Sequence, residues 1–369
     1  MALNMEVGRD EIASSRQRAS HDRGARALAY GLPALGILAV AMLLISVMTG
    51  ASTASVTGLI RNLLLGGSDN ALDVLRDRIV ILEVRMPRAA LGFLVGAALA
   101  ASGATMQGLF RNPLADPGVL GVTSGASLGA VSSIVLGGTL LAPVTAILGI
   151  FTLPVMAFIG ALIVTFILYR LGRSDGETQI ATMLIAGIAI SALGMALTGL
   201  LIYVADDNQI RDITFWSLGS LAGSTWQKAA IAAAVILPAL LTLPFLARGL
   251  NAFTLGEAAA FHMGVPVERF KRVAIVMVAA ATGVSVALSG GIVFIGMIVP
   301  HLIRIWVGPD HRFLLPASAL LGGSLLLVAD MLTRISVAPA ELPIGILTAL
   351  IGAPFFLWIL LKDRSGRVM

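Results

Sequence analysis

The histidines and lysines of this chain stand at spacings that exclude several kinds of catalytic site. No two histidines form the His-Glu-x-x-His pair of a zinc enzyme, and no lysine lies in the Gly-Lys-Ser/Thr sequence of a phosphate-binding P-loop. Because the chain has no cysteine, disulfides, thiolate metal sites and a cysteine nucleophile are excluded as well. We predict no catalytic residue, no metal site and no intrinsic cofactor, so any energy from ATP must be supplied by a partner. The residues considered are His21, His262, His301, His311, Lys228, Lys271 and Lys362.

The elements that position the remaining polar residues are predicted to be membrane helices. Of the 369 residues, 57% are hydrophobic and 12% are charged, whereas soluble domains carry about 25% charged residues. This composition predicts an all-α polytopic membrane protein with a single domain. Arginines in loops account for the net charge of +5, and no nucleic-acid partner is expected.

Ten apolar runs are predicted to span the membrane. The run 273–303 has no formal charge and is too long for one helix, but Ser289-Gly290-Gly291 offers a break because glycine permits a turn. We read two spans there. The predicted spans are 27–48, 89–107, 118–138, 146–169, 180–205, 229–247, 273–289, 292–303, 313–329 and 343–361.

An even number of spans places both termini on one side of the membrane. That side holds most of the basic residues and is therefore predicted to be the cytoplasm. The segment from Thr49 to Glu83 then lies outside, with an interfacial helix from Val56 to Leu65. The predicted organisation is a cytoplasmic tail (1–26), a ten-helix transmembrane domain (27–361) that includes a cytoplasmic region (249–272), and a second cytoplasmic tail (362–369).

Asp330 is the acidic residue that an ion-coupled carrier would use. A charge within the membrane costs roughly 2.5–3.5 kcal/mol or more, so such a residue needs a partner or a function. Arg334 lies four residues further on, on the same helical face. We favour a structural ion pair, and keep as alternatives an ion-coupled secondary carrier that depends on Asp330 and a membrane receptor without transport.

A polar loop between two glycine-rich helices carries a family resemblance. The loop runs from Gln107 to Pro117 and contains Arg111-Asn112-Pro113-Leu114-Ala115-Asp116. Glycines four residues apart flank it and predict close helix packing, at Gly92 and Gly96 and at Gly121, Gly125 and Gly129. From Ile81 to Leu361 the chain resembles the permease subunits of ATP-binding-cassette importers for iron–siderophore complexes, haem and cobalamin. The other segments that carry the resemblance are Arg85-Met-Pro-Arg88, Trp216–Leu221, Leu255–Val265, Gly291–Gly296 with Pro300-His301, Ala329-Asp330 with Arg334, and Glu341–Gly345.

The resemblance implies a transport subunit rather than an enzyme. Its expected setting is the bacterial inner (cytoplasmic) membrane, in contact with membrane lipids. The expected assembly is a homodimer of ten-helix subunits around a central translocation path. Two copies of a cytoplasmic ATPase would use the ATP, and a periplasmic substrate-binding protein would dock outside.

The resemblance also assigns roles to individual residues. A short helix within Leu255–Val265 would couple the ATPase to the membrane helices, although Phe261 and His262 stand where polar or basic residues are expected. Arginines on the outer side would pair with acidic residues of the binding protein. The path would be lined by the fifth and tenth spans and gated just before the fifth. The residues concerned are Leu255, Gly256, Glu257, Ala260, His262 and Gly264 for coupling; Arg85, Arg88 and Arg334 for docking; and Thr178, Gln179, Ile180, Thr182, Ser191, Thr198 and Thr348 for the path and gate.

The cargo is predicted from one outer segment. The residues from Asp206 to Ser220 look most like those of haem permeases, while ferric siderophore and cobalamin remain alternatives. His301, after Pro300, is interpreted as a packed histidine rather than a haem ligand.

Overall fold

The computed structural model describes residues 27–50, 52, 54–59, 71–174, 177–337 and 340–364. Almost all of its regular structure is helical, as predicted. The exception is an antiparallel pair of two-residue strands, β1 (Arg173–Ser174) and β2 (Glu177–Thr178). The helices are α1 (Leu32–Met48), α2 (Ala71–Ile79), α3 (Met86–Leu109), α4 (Val122–Leu136), α5 (Ala142–Leu148), α6 (Thr152–Leu171), α7 (Ile180–Tyr203), α8 (Asp207–Ser217), α9 (Trp226–Phe253), α10 (Glu257–His262), α11 (Val267–Ser289), α12 (Ile295–Val307), α13 (His311–Ser336) and α14 (Ile344–Arg364).

The long apolar helices coincide with the predicted spans. Among the described residues, seven helical segments are long and apolar enough to cross a membrane, and three shorter apolar helices (Val122–Leu136, Ile295–Val307 and Ile344–Ile359) overlap the other predicted spans. The chain is therefore a multi-pass membrane protein. The count of ten spans and the side of each terminus stay predictions. The tail 1–26 lies outside the described residues, and α14 extends to Arg364, beyond the predicted start of the second tail.

The predicted break in the run 273–303 is confirmed. α11 ends at Ser289, and α12 begins at Ile295. Gly290 and Phe294 both adopt positive φ angles, 71° and 68°. The left-handed conformation is rare for a side chain as bulky as phenylalanine, so the break is sharply defined at both ends.

The later part of the predicted outside segment is helical. Over residues 71–83 the chain forms α2, which continues through a π-helical turn at Val80–Arg85 into α3. The result is one helical segment from Leu72 to Leu109. Of the predicted interfacial helix, Val56–Leu59 is helical, and the remainder lies outside the described residues.

α3 is the central helix of the fold and is buried along almost its whole length from Pro87. It packs against α13, α9, α11 and α12, while α4 packs against α6. The predicted glycine stripes lie at such contacts. A Cβ on Gly96 would meet the carbonyl oxygen of Gly322, and one on Gly125 would meet that of Gly160. The small residues allow the backbones to approach closely, as expected for helices packed in lipid.

Candidate functional site

A buried ion-pair network joins α3, α13 and the segment before α14. Asp330 is fully buried, and its carboxylate accepts hydrogen bonds from Arg88 at 2.8 and 3.0 Å. Arg334 lies 3.0 Å from the other oxygen of Asp330, which confirms the predicted pair at i and i+4. Arg88 also donates to both oxygens of Glu341, at 2.8 and 3.0 Å. Two carboxylates and two guanidinium groups thus balance one another's charge.

Backbone carbonyls bind the other predicted docking arginine. Arg85 donates to the carbonyl oxygens of Val47, Met48, Ser52 and Ala54 at 2.9–3.3 Å. In the same way, Arg334 donates to the carbonyl oxygens of Thr49 and Ser46, at 2.9 and 3.2 Å. These arginines therefore fasten the C-terminal end of α1 and the following segment to the rest of the subunit.

The docking role of the three arginines stays a prediction. Arg85, Arg88 and Arg334 are 4, 7 and 5% exposed. Each is already bonded within the subunit, so a partner carboxylate would have to compete with these contacts. Glu341 is the accessible member of the network, with 40% of its side chain exposed.

Charge reversal at both Arg85 and Arg88 is expected to weaken capture of the loaded binding protein. Complementary charges steer and orient association, and loss of a desolvated charge pair lowers affinity by about tenfold or more. The measurement is the affinity of the loaded binding protein for detergent-purified permease at low and high salt, since salt screens interactions between such charges. The control is Arg78→Glu, an exposed arginine of α2. A folded double variant with unchanged affinity at low salt would remove both arginines from the interface.

Asp330→Asn is expected to destabilise the folded subunit. The change leaves Arg88 and Arg334 facing a neutral amide, and removing one member of a buried ion pair costs about 3–5 kcal/mol. A lower Tm in detergent is the expected result, compared with the exposed control Asp207→Asn. An unchanged Tm together with loss of proton-driven flux would instead support the ion-coupled carrier.

The predicted coupling segment contains the expected short helix. α10 runs from Glu257 to His262, and Gly256 before it has a φ of 109°. Ala260 is buried and anchors the helix, while His262 and Gly264 are exposed. Three large apolar side chains of the segment project from the subunit, with exposed fractions of 71% for Leu255, 67% for Phe261 and 54% for Met263. An exposed apolar cluster of this kind is typical of a protein–protein contact.

Helices extend into both ends of the predicted cytoplasmic region 249–272. The flanking helices extend to Phe253 and from Val267, because α9 and α11 continue into the predicted region 249–272. The connecting segment is therefore 254–266.

The 107–117 loop lies next to this segment. Arg111 has a φ of 50°, and its guanidinium nitrogen would lie 3.7 Å from a Cβ placed on Gly256. Gln107 at the end of α3 accepts a hydrogen bond from Arg304 of α12 at 3.0 Å. Asp116 caps the turn Pro117–Leu120 by accepting from the Gly118 N–H at 2.7 Å. Burial raises the pKa of the Asp116 carboxyl, and the hydrogen bond from Gly118 partly opposes this effect.

The predicted gate residues divide between the subunit interior and its surface. Thr178 of β2 is buried, and its hydroxyl donates to Glu268 of α11 at 2.7 Å. Gln179 and Thr182 are exposed at the start of α7, where the Thr182 hydroxyl donates to the Gln179 side chain at 3.0 Å. Ile180, the first residue of α7, is half-buried. Thr178 is therefore anchored to α11, whereas Gln179 and Thr182 are accessible at the start of α7.

One subunit does not bring the predicted path residues together. α7 packs on α4 and α6, whereas α14 packs on α12 and α13. Ser191 contacts Ser124 at 3.3 Å, the Thr198 hydroxyl bonds to Gly194 of its own helix, and buried Thr348 bonds to Gly345. Most of α7 is nevertheless exposed, and large apolar residues project from it, among them Ile185, Ile188, Met195 and Leu200.

An open cavity of about 560 Å³ lies where the break between α11 and α12 meets α14. Its wall includes Leu218, Gly291, Val293, Gly345 and Ile346. These side chains and backbone atoms are mostly apolar, so the cavity has little capacity to hold a charged ligand tightly.

The histidines do not form a metal site in the part of the chain that the structure describes, where no group of three or more His, Asp or Glu side chains converges. The ring of His301 packs edge-to-face on Phe355 of α14, with ring centroids 6.4 Å apart. This contact agrees with its interpretation as a packing residue. His311 is buried and bonds through Nδ1 to Asn251 at 2.8 Å.

Lys271 and Glu268 were not identified from the sequence as members of a candidate site. Lys271 is 1% exposed, and its ammonium group donates to Glu257 of the predicted coupling segment and to the carbonyl oxygen of Thr178 in the predicted gate. Its presence in the predicted coupling region, three residues after Glu268, was a usable signal because i,i+3 pairs share a helical face. Glu341 was noted within a family segment but not as a partner of Arg88.

Comparison with known proteins agrees with this geometry. The model of the FecCD transport family matches residues 37–362. A hemin transport system permease protein from Yersinia pestis is 47% identical over 286 residues, which cover 78% of this chain and 84% of that protein. A cobalamin import system permease protein from Halobacterium salinarum is 43% identical over 292 residues, covering 79% of this chain and 76% of the relative.

A solved structure shares both the fold and the sequence pattern. It is described as an inward-facing conformation of a metal-chelate type ABC transporter, and it matches with a TM-score of 0.76 and 32% identity over 90% of this chain and 98% of its own. The family model and the relatives together cover most of the chain. The protein therefore belongs to the FecCD transport family, and is a permease subunit of an ABC importer whose ATPase is a separate partner.

Proposed function

We propose that this chain is the permease of an ATP-driven haem importer. It would receive haem from a periplasmic binding protein and release it into the cytoplasm by alternating access. The observation that carries the proposal is the 47% identity to the hemin permease over 286 residues. The likeness of the segment from Asp206 to Ser220 to haem permeases supports the same cargo.

The proposed assembly is a homodimer in the bacterial inner membrane, with both termini of each ten-span subunit in the cytoplasm. The exposed apolar face of α7 supports this arrangement, because a central path needs a helix that one subunit leaves uncovered. Two ATPase copies would bind the α10 segments through Leu255, Phe261 and Met263. The mostly apolar cavity beside α14 supports a path that releases its cargo, with specificity residing in the binding protein.

Cobalamin is the second candidate cargo, and the 43% identity to a cobalamin permease favours it. Ferric siderophore, the other cargo that the family resemblance allows, is placed third. The proposal requires no haem ligand in the described residues, because the permease would only provide a passage.

The test is uptake into proteoliposomes that contain the permease with its ATPase. The binding protein is loaded in turn with haem, a ferric siderophore and cobalamin. ATP-dependent accumulation of haem alone is the expected result. Accumulation of cobalamin or siderophore without haem would reject haem as the cargo. Flux driven by a proton gradient without an ATPase would reject the proposal of an ATP-driven importer.

A further inference from the structure

A buried lysine lies between the coupling segment and the gate. Lys271, on the first turns of α11, is 1% exposed, although lysine is almost never buried without partners. Its ammonium group donates to the backbone carbonyl of Thr178 at 2.8 Å, to Glu257 at 2.6 Å and to Glu268 at 3.3 Å. An ammonium group has three donors, so all three are used.

The three acceptors belong to three different elements. Glu257 is the first residue of α10, Thr178 belongs to β2 before α7, and Glu268 lies on α11 beside Lys271. α10 and β2 each pack against α11, so Lys271 stands between them. One side chain therefore bonds the ATPase-facing helix directly to the strand that leads into the predicted gate.

A second bond makes the attachment to the gate rigid. The Thr178 hydroxyl donates to Glu268 at 2.7 Å, while the Thr178 carbonyl accepts from Lys271. β2 is thus held at two points of one residue. The Gln179 N–H, which follows, donates to the Gly172 carbonyl at the end of α6 at 2.7 Å. Displacement of Lys271 would consequently move the start of α7 rather than a loose loop.

The attachment to α10 is different in kind. Glu257 reaches Lys271 through a single carboxylate oxygen, and 37% of its side chain is exposed. Gly256, with its φ of 109°, immediately precedes it. This side of the network can follow movement of α10, while the bonds to Thr178 keep the gate attached to α11.

We propose that Lys271 is the positioning residue that transmits movement of α10 to the gate at Thr178–Thr182. Closure of the ATPases displaces α10, Glu257 pulls on the Lys271 ammonium group, and the Thr178 carbonyl moves with it. The inference rests on the proposed function, because it requires α10 to be the ATPase contact. Coupling of ATP hydrolysis to gate movement then requires the charge and hydrogen bonds of Lys271 in addition to the packing of α10 against the ATPase.

The test uses the complete complex in proteoliposomes and compares Lys271→Met with Lys271→Arg. Methionine keeps most of the apolar stem and removes the charge, while arginine keeps a charged donor group. Lys271→Met is expected to lower haem accumulated per ATP hydrolysed by about tenfold or more, since a buried charge pair is lost. Lys271→Arg is expected to restore much of the coupling. The matched control is Arg272→Met, an exposed neighbour that donates to the Tyr169 hydroxyl at 3.2 Å.

A second readout follows the gate itself. Since the chain has no cysteine, Thr182→Cys provides a single spin-label site in each subunit. The distance between the two labels of a dimer should change on ATP binding in the parent, and Lys271→Met should abolish that change while the ATPase remains bound. A purely structural role would not separate ATPase binding from gate movement.

Several results would overturn the inference. They are unchanged transport per ATP in Lys271→Met, an equal loss in Arg272→Met, or no rescue by Lys271→Arg. If the complex containing Lys271→Met does not assemble, Glu257→Gln is tested instead, because it weakens only the bond between α10 and Lys271. Reduced transport per ATP hydrolysed in Glu257→Gln would support the proposed role of Lys271. Unchanged transport per ATP would contradict it. Failure of the parent complex to accumulate haem would count against the proposed cargo, and the coupling test would then use the cargo that is accumulated.

Discussion

Gly256→Trp is expected to abolish ATP-driven uptake while the subunit remains folded. Gly256 has a φ of 109°, a conformation that side chains rarely adopt. It lies at the start of α10, where the predicted ATPase contact includes exposed Leu255 and Phe261. An indole there would both strain the backbone and occupy the space that the ATPase needs. We expect binding of the ATPase to be lost together with transport.

Comparison of Gly256→Ala with Gly256→Trp separates the effect of backbone strain from that of steric obstruction of the ATPase. Gly256→Ala imposes the same strained φ, but its Cβ would meet only the Arg111 guanidinium at an ordinary 3.7 Å. We expect Gly256→Ala to bind the ATPase with reduced affinity and Gly256→Trp not to bind. Size-exclusion chromatography and Tm in detergent show whether each subunit is folded. Normal uptake by a folded Gly256→Trp would contradict the coupling role of this segment.

Gly103→Leu is expected to prevent the subunit from folding. Gly103 lies in the C-terminal half of α3, where its missing Cβ leaves room for the backbone of Gly296 at the start of α12. A Cβ at this position would meet the carbonyl oxygen, carbonyl carbon and Cα of Gly296, none of which can rotate away. Overpacking a core typically costs 1–3 kcal/mol, and a clash of two backbones costs more.

The measurement is the yield of monodisperse protein after detergent extraction, with Tm where protein is recovered. Gly36→Leu on α1 is the control, because a Cβ there meets nothing within 4 Å. We expect Gly103→Leu to aggregate or to show a greatly lowered Tm, and Gly36→Leu to behave as the parent. Equal stability of the two variants would mean that α3 and α12 are not packed as closely as the structure places them.

The membrane helices could be predicted from the sequence alone, because their apolar runs are long enough to span a bilayer and a glycine pair divides the one run that is too long. Residues 273–303 illustrate this: the run exceeds one span, and Ser289-Gly290-Gly291 allows the chain to turn where the structure has its break. The pair Asp330 and Arg334 was predictable for a related reason, since residues four apart share a helical face. The short helix of the coupling segment was likewise indicated by the family resemblance, with its ATPase contact still a prediction.

The contacts between groups that are far apart in the sequence could be read only from the folded structure. Arg88 and Glu341 are 253 positions apart, and Lys271 and Thr178 are 93 apart, so no local periodicity reports either contact. Lys271 looked like one of three scattered lysines until folding placed α10 and β2 on either side of it. Helical periodicity tells which residues share a face, but only packing of whole helices determines what that face touches. Buried charged residues such as Arg88 and Lys271 are therefore paired with groups that only the packing of whole helices brings within hydrogen-bonding distance.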